Sequence, residues 1–145
     1  MKRWKLVAGL LAVAAFAVPA AALAMSPMHP ELSAKLVGSA EVPPGAMASA
    51  HGIVNLTLTA KTGKVCWTFD ITGVSGPTAA HIHKSPAGRA GPVVVPLGGA
   101  YKAKGCTTAS KSTVNAIEEH PGSYYVNVHN AKYPAGAVRG QLARG

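Results

Sequence analysis

Lys64-Val65-Cys66-Trp67-Thr68-Phe69-Asp70-Ile71-Thr72 alternates without a break. Val65, Trp67, Phe69 and Ile71 fall on one side of an extended chain, and Cys66, Thr68, Asp70 and Thr72 on the other. A period of two belongs to a β-strand with one face in a core. The stretch before it, His51 to Thr59, repeats the pattern, with Gly52, Val54, Leu56 and Leu58 opposed by Asn55, Thr57 and Thr59. Between the two, Ala60-Lys61-Thr62-Gly63 reads as a hairpin turn.

Working outward, Leu32 to Val42 reads as a first strand ended by Pro43-Pro44. Ala79 to His83 and Pro92 to Leu97 read as strands around a glycine-bearing loop, Ser85 to Gly91. Ser123 to His129 and Ala137 to Leu142 are the last two. One helix is expected between Lys111 and Glu119, capped by Ser112 or Thr113 and stopped by Pro121-Gly122. The expected fold is all-β, an antiparallel, Greek-key-like β-sandwich or small barrel of about eight short strands with one short helix.

The N-terminus carries an address. Lys2, Arg3 and Lys5 precede an apolar stretch from Leu6 to Val18, and Ala22-Leu23-Ala24 fits a small-x-small cleavage site. Residues 1–24 are therefore expected to be a cleaved signal peptide, 25–31 a flexible leader and 32–145 one domain. No later run is long enough to span a membrane. The expected location is periplasmic or secreted.

The formal net charge is +9, and three of the basic residues lie in the signal region. The remaining lysines are scattered singly with few aromatics between them, which reads as a solvated basic surface rather than a nucleic-acid interface. Two cysteines, Cys66 and Cys106, are an even pair in an exported chain and point to a disulfide. As soft metal ligands they lack the close C-x-x-C spacing.

Catalytic arrangements are absent from the pattern: no spaced carboxylate pair, no G-x-S-x-G elbow, no G-K-[ST] ending to the glycine loop. The sequon Asn55-Leu56-Thr57 lies inside a strand rather than a loop. Chemistry rests on histidine. In His81-Ile82-His83 the two imidazoles share one strand face while Ile82 takes the other. In Tyr124-Tyr125-Val126-Asn127-Val128-His129 the same rule puts Tyr125, Asn127 and His129 together. Pairing of these segments would bring His81, His83 and His129 into one cluster suited to copper or zinc. The competing reading makes them structural, holding loop carbonyls. His29 with Met25 and Met28 offers soft Cu(I) ligands within a leader expected to be disordered. His51 and His120 have no ligand partner nearby in sequence.

Several ordered motifs resemble the CHRD (chordin-type) domain: Glu41-Val42-Pro43-Pro44, Ala80-His81-Ile82-His83 with Ala87-Gly88 and Gly91-Pro92-Val93-Val94, Tyr124 to His129, Tyr133-Pro134-Ala135-Gly136, and Arg139-Gly140-Gln141-Leu142. The resemblance runs from about Leu32 to Leu142. It implies a compact extracellular β-sandwich and says little about reaction, since the family is largely without assigned activity. Its histidine motifs map onto His81, His83 and His129. Glu41 and Arg139 stand in two further motifs and are expected to form a structural ion pair between the first and last strands. The layout is also similar to copper–zinc superoxide dismutase. That pattern calls for a zinc-site aspartate, and Asp70 is the one aspartate here, so dismutation is not implied. Two readings follow: a metal-binding protein using the three histidines, or a non-catalytic module that binds a protein or surface polymer.

Overall fold

The computed structural model describes residues 31–46 and 49–145. The expected signal segment and nearly all of the leader, with Met25, Met28 and His29, lie outside them.

The stretch Lys64–Thr72 is strand β3, and its alternation is carried into burial. Val65, Trp67 and Phe69 are buried while Lys64, Thr68 and Asp70 are exposed. It pairs in register with β2, His51–Thr59, from His51 opposite Thr72 to Thr59 opposite Lys64. Gly63, at φ 74°, sits in the turn between them, in the left-handed region that suits glycine. On the other side of β2 lies β1, Glu31–Val37.

Strand β1 is shorter than expected and stops before Val42. The chain turns through a 3-10 segment at Gly38–Ala40, and the Gly38 carbonyl accepts hydrogen bonds from the Glu41 and Gly45 amides. A side chain at Gly38 would run into the backbone of Ala46, so this corner needs a glycine.

Five further strands complete the main sheet: β4 Pro77–Lys84, β5 Val93–Pro96, β6 Lys104–Thr108, β7 Tyr124–Asn130 and β8 Val138–Gln141. They join in the order β5-β4-β7-β8-β1-β2-β3-β6, with a short β9, Ala143–Arg144, beside β1. All pairings are antiparallel. The sheet curls into a nearly closed barrel, the all-β fold expected. Inward-facing Leu56, Leu58, Val65, Ile82, Val95, Val126, Val128 and Val138 fill it.

Helix α1, Lys111–Glu119, has the expected bounds but a different cap. Ser110, not Ser112 or Thr113, accepts the hydrogen bond of the Thr113 amide at 3.0 Å. Its apolar positions Val114 and Ile117 are fully buried against the core. Glu118 accepts from the Ala60 amide at 3.1 Å, tying the helix to the β2–β3 turn. Cys66 and Cys106 face each other across β3 and β6 and are joined in a disulfide. Among the described residues no helix is long and apolar enough to cross a membrane.

Candidate metal centre

Strands β4 and β7 pair with His81 opposite Asn127, His83 opposite Tyr125 and Ala79 opposite His129. Alternation then sends all five polar or aromatic side chains to the outer face of the barrel, while Ile82, Val126 and Val128 point inward. His129 and His81 are diagonal neighbours across the pair, within reach for long side chains.

One nitrogen from each of His81, His83 and His129 lies within 4.8 Å of the other two. His81 Nδ1 and His129 Nε2 are 3.0 Å apart. Zinc–imidazole bonds of about 2.0–2.1 Å place tetrahedral ligand nitrogens roughly 3.3 Å from one another. The His81–His129 pair already stands near that spacing, and His83 needs a small inward movement.

The backbone sets the tautomers. His83 Nδ1 is 2.8 Å from the Gly91 carbonyl oxygen, and His129 Nδ1 is 3.0 Å from that of Pro134. A carbonyl only accepts, so both rings carry their proton on Nδ1 and keep Nε2 bare. This is the arrangement that orients metal-ligating histidines. His83 Nε2 is buried and has no hydrogen-bond partner. His129 Nε2 lies 3.0 Å from the Asn127 side-chain amide. The group facing it is the Asn127 carbonyl oxygen, Oδ1.

The rings are also held neutral. Burial, with repulsion from His129 and His83, pushes His81 down to about 4. Burial likewise lowers His83, against the opposing pull of the Gly91 carbonyl and the neighbouring Asn127 side chain. His129 is lowered by burial in the same way. Three neutral imidazoles at neutral pH are in the state that binds metal.

A second layer lies behind His83. Its ring stacks on that of Tyr125 with centroids 4.7 Å apart and planes 10° from parallel. Arg139 covers the same Tyr125 ring, its guanidinium carbon 3.3 Å from the ring centre. The Gly91 amide donates to the Tyr125 hydroxyl at 3.3 Å. Arg139 Nη2 donates to the Pro86 carbonyl at 3.1 Å, and Gln141 to that of Ser85 at 2.8 Å. Side chains of β4, β7 and β8 thus clasp both feet of the Ser85–Gly91 loop.

Glu41 and Arg139 are both buried, at 5% and 2% exposure, and both line one cavity of about 340 Å³ with Lys35 and Gln141. The guanidinium stabilises the Glu41 anion through space, while burial acts more strongly and raises the carboxyl to about 7. Glu41 Oε1 is buried without a hydrogen-bond partner, and the guanidinium lays its face on Tyr125.

His81, His83 and His129 come together as the alternation implies. His51 lies elsewhere, exposed and bonded through Nδ1 to the Ser49 carbonyl at 2.8 Å. His120 is exposed at the C-terminal cap of α1. Cys66 and Cys106 are joined to each other and offer no thiolate. Sequence reasoning placed Tyr125 and Asn127 on the histidine face without giving them a role, and it missed Arg139 and Gly91 as parts of the site. The strand period carried the first two; no local signal carries the others, which arrive from β8 and a loop.

The family model described as the CHRD domain matches residues 32–142. No curated protein matches, and no solved structure matches.

Proposed function

The chain belongs to the CHRD domain family, and from that premise we propose that it is an extracellular metal-binding module, periplasmic or secreted, in which His81, His83 and His129 hold one copper or zinc ion. The family and the Cys66–Cys106 disulfide are consistent with an extracellular location. The observation that carries the metal reading is the buried, unpartnered Nε2 of His83, whose Nδ1 is anchored on Gly91. A buried polar nitrogen without a partner is costly, and a metal ion bound there would remove that cost. Asn127 Oδ1, 3.0 Å from His129 Nε2, stands beside the centre as a fourth donor.

The test is titration of the purified protein with Cu(I), Cu(II) and Zn(II), alongside a His81→Ala/His83→Ala double variant. One-to-one binding tighter than micromolar is expected, abolished in the folded double variant. Weaker binding, or binding the double variant retains, rejects the site.

A second reading is favoured by the same hydrogen bonds. His83 and His129 hold the carbonyls of Gly91 and Pro134, as histidines do when they staple loops in an interaction module for a protein or surface polymer. Under that reading the double variant loses loop order and partner binding, while metal has no effect on either.

A further inference from the structure

Arg139 is among the largest fully buried side chains of the barrel, and Glu41 is the carboxylate that interacts with it electrostatically. The geometry points to Arg139 as the residue that selects the ion: pressed against Tyr125, whose ring is stacked on His83, the guanidinium fixes the plane of that imidazole and sets a permanent positive charge behind it, favouring Cu(I) over Zn(II) or Cu(II). This rests on the three-histidine reading above.

The ligand set makes the charge matter. Three neutral imidazoles and the Asn127 carboxamide bring no negative charge to the ion. A guanidinium stays charged at any pH the protein meets. Layered as observed, it lies 3.3 Å from the centre of a Tyr125 ring that is itself 4.7 Å from the centre of the His83 ring, so guanidinium and imidazole are at most about 8 Å apart. At that distance and an effective dielectric of about 20, each added unit of charge on a bound ion is disfavoured roughly tenfold or more. A doubly charged ion therefore meets the penalty twice and a singly charged ion once. Lys84, exposed at the end of β4, adds charge of the same sign. Glu41 is the acidic side chain that acts on Arg139, and its burial leaves the carboxyl only partly ionised near neutral pH, so it offsets the guanidinium incompletely.

The stack also explains how a buried cation is tolerated. A guanidinium over an aromatic face is stabilised by the ring quadrupole and holds the ring flat. Tyr125 is fixed a second time by the Gly91 amide, the residue whose carbonyl holds His83 Nδ1. His83 is thus gripped at its edge by Gly91 and on its face by Tyr125.

The experiment measures Cu(I) and Zn(II) dissociation constants by competition with chromophoric chelators at pH 7.5. It compares the full chain with Arg139→Met and Glu41→Gln. Methionine keeps an unbranched apolar contact on Tyr125 and removes the charge, whereas glutamine removes the partial compensation. The wild type is expected to prefer Cu(I). Arg139→Met should reduce the Cu(I)-to-Zn(II) affinity ratio about tenfold, and Glu41→Gln should raise it severalfold. Tyr125→Phe should leave the ratio unaltered, and Tyr125→Leu should weaken both ions. A folded Arg139→Met variant with a ratio within twofold of wild type overturns the proposal. If that variant does not fold, Glu41→Gln decides: a fall or no change in the ratio overturns it. A wild type that binds neither ion through His81 and His83 rejects the metal site itself, a result distinct from binding with an unshifted ratio.

Discussion

Glu41 presses its carboxylate against the Cα of Gly136, where a side chain would have no room. Burial raises that carboxyl from 4.5 to about 7, so the folded state favours the protonated form. Its stabilising contribution is complete below about pH 4.5 and is lost as pH rises through 7. Glu41→Gln should therefore gain thermal stability over wild type at pH 8 and lose that advantage at pH 5, as thermal melts at the two pH values would show. The histidines act in the opposite direction. Because His81 is held down to about 4 from 6.5, its contribution is complete above 6.5 and falls away as the medium is acidified toward 4. Protons should accordingly compete weakly for the metal, with occupancy held from pH 8 to about pH 5. A half-loss of metal at pH 6.5, read by dialysis and metal analysis, would contradict this. Single residues were legible in sequence where strand alternation governs them: His81, His83 and His129 share a face because the period is two. Arg139 was not, since its role depends on a guanidinium reaching Tyr125 on a neighbouring strand, and side-chain packing across strands leaves no trace in spacing.

Among elements, β6 has little core packing of its own. It forms one edge of the sheet and, among the described strands, pairs only with β3. Its sequence, Lys104-Gly105-Cys106-Thr107-Thr108, has no large apolar residue. That is why the sequence reading passes over it, while β2 and β3 emerge with their bounds. Two features keep it in place. The Trp67 indole occupies the space beside Gly105, where a Cβ would lie 2.6 Å from Cζ2, and its Nε1 donates to the Lys102 carbonyl at 2.8 Å. The disulfide then bolts Cys106 to Cys66. Closing a loop of 40 residues stabilises by about 4 kcal/mol on the chain-entropy account. Cys66→Ser/Cys106→Ser should lower unfolding stability by about 2–4 kcal/mol in denaturant titrations, with exchange of β6 amides rising first. An unchanged midpoint would show that Trp67 alone holds the edge. Helix α1 was legible through Val114, Ile117 and Pro121-Gly122; its cap was misplaced by two or three positions because Ser110, Ser112 and Thr113 all carry suitable hydroxyls, and only backbone geometry chooses among them.

At the scale of the whole molecule, the proposed ion would stitch β4 to β7, two strands distant in sequence and adjacent in the sheet. Free metal at about a hundred times its dissociation constant would stabilise the fold by about 2.7 kcal/mol. For a domain of this size that raises Tm by roughly 10 °C. The shift should vanish in His81→Ala/His83→Ala, and its absence in wild type would show that no ion is bound in the folded state. The all-β architecture was visible in the strand periods, but the sheet order was not, because hairpin turns reveal only neighbours in sequence. The pairing of β1 with β8 and β9 joins strands that are first and last in chain order. It culminates in the Gly145 amide donating to the Glu31 carbonyl at 3.2 Å. Entry and exit of this barrel therefore share one doorway. A chain recut in the β2–β3 turn and rejoined from Gly145 to Glu31 would keep every strand neighbour, and a host protein could carry the whole unit as a cassette in a single surface loop without parting its own fold.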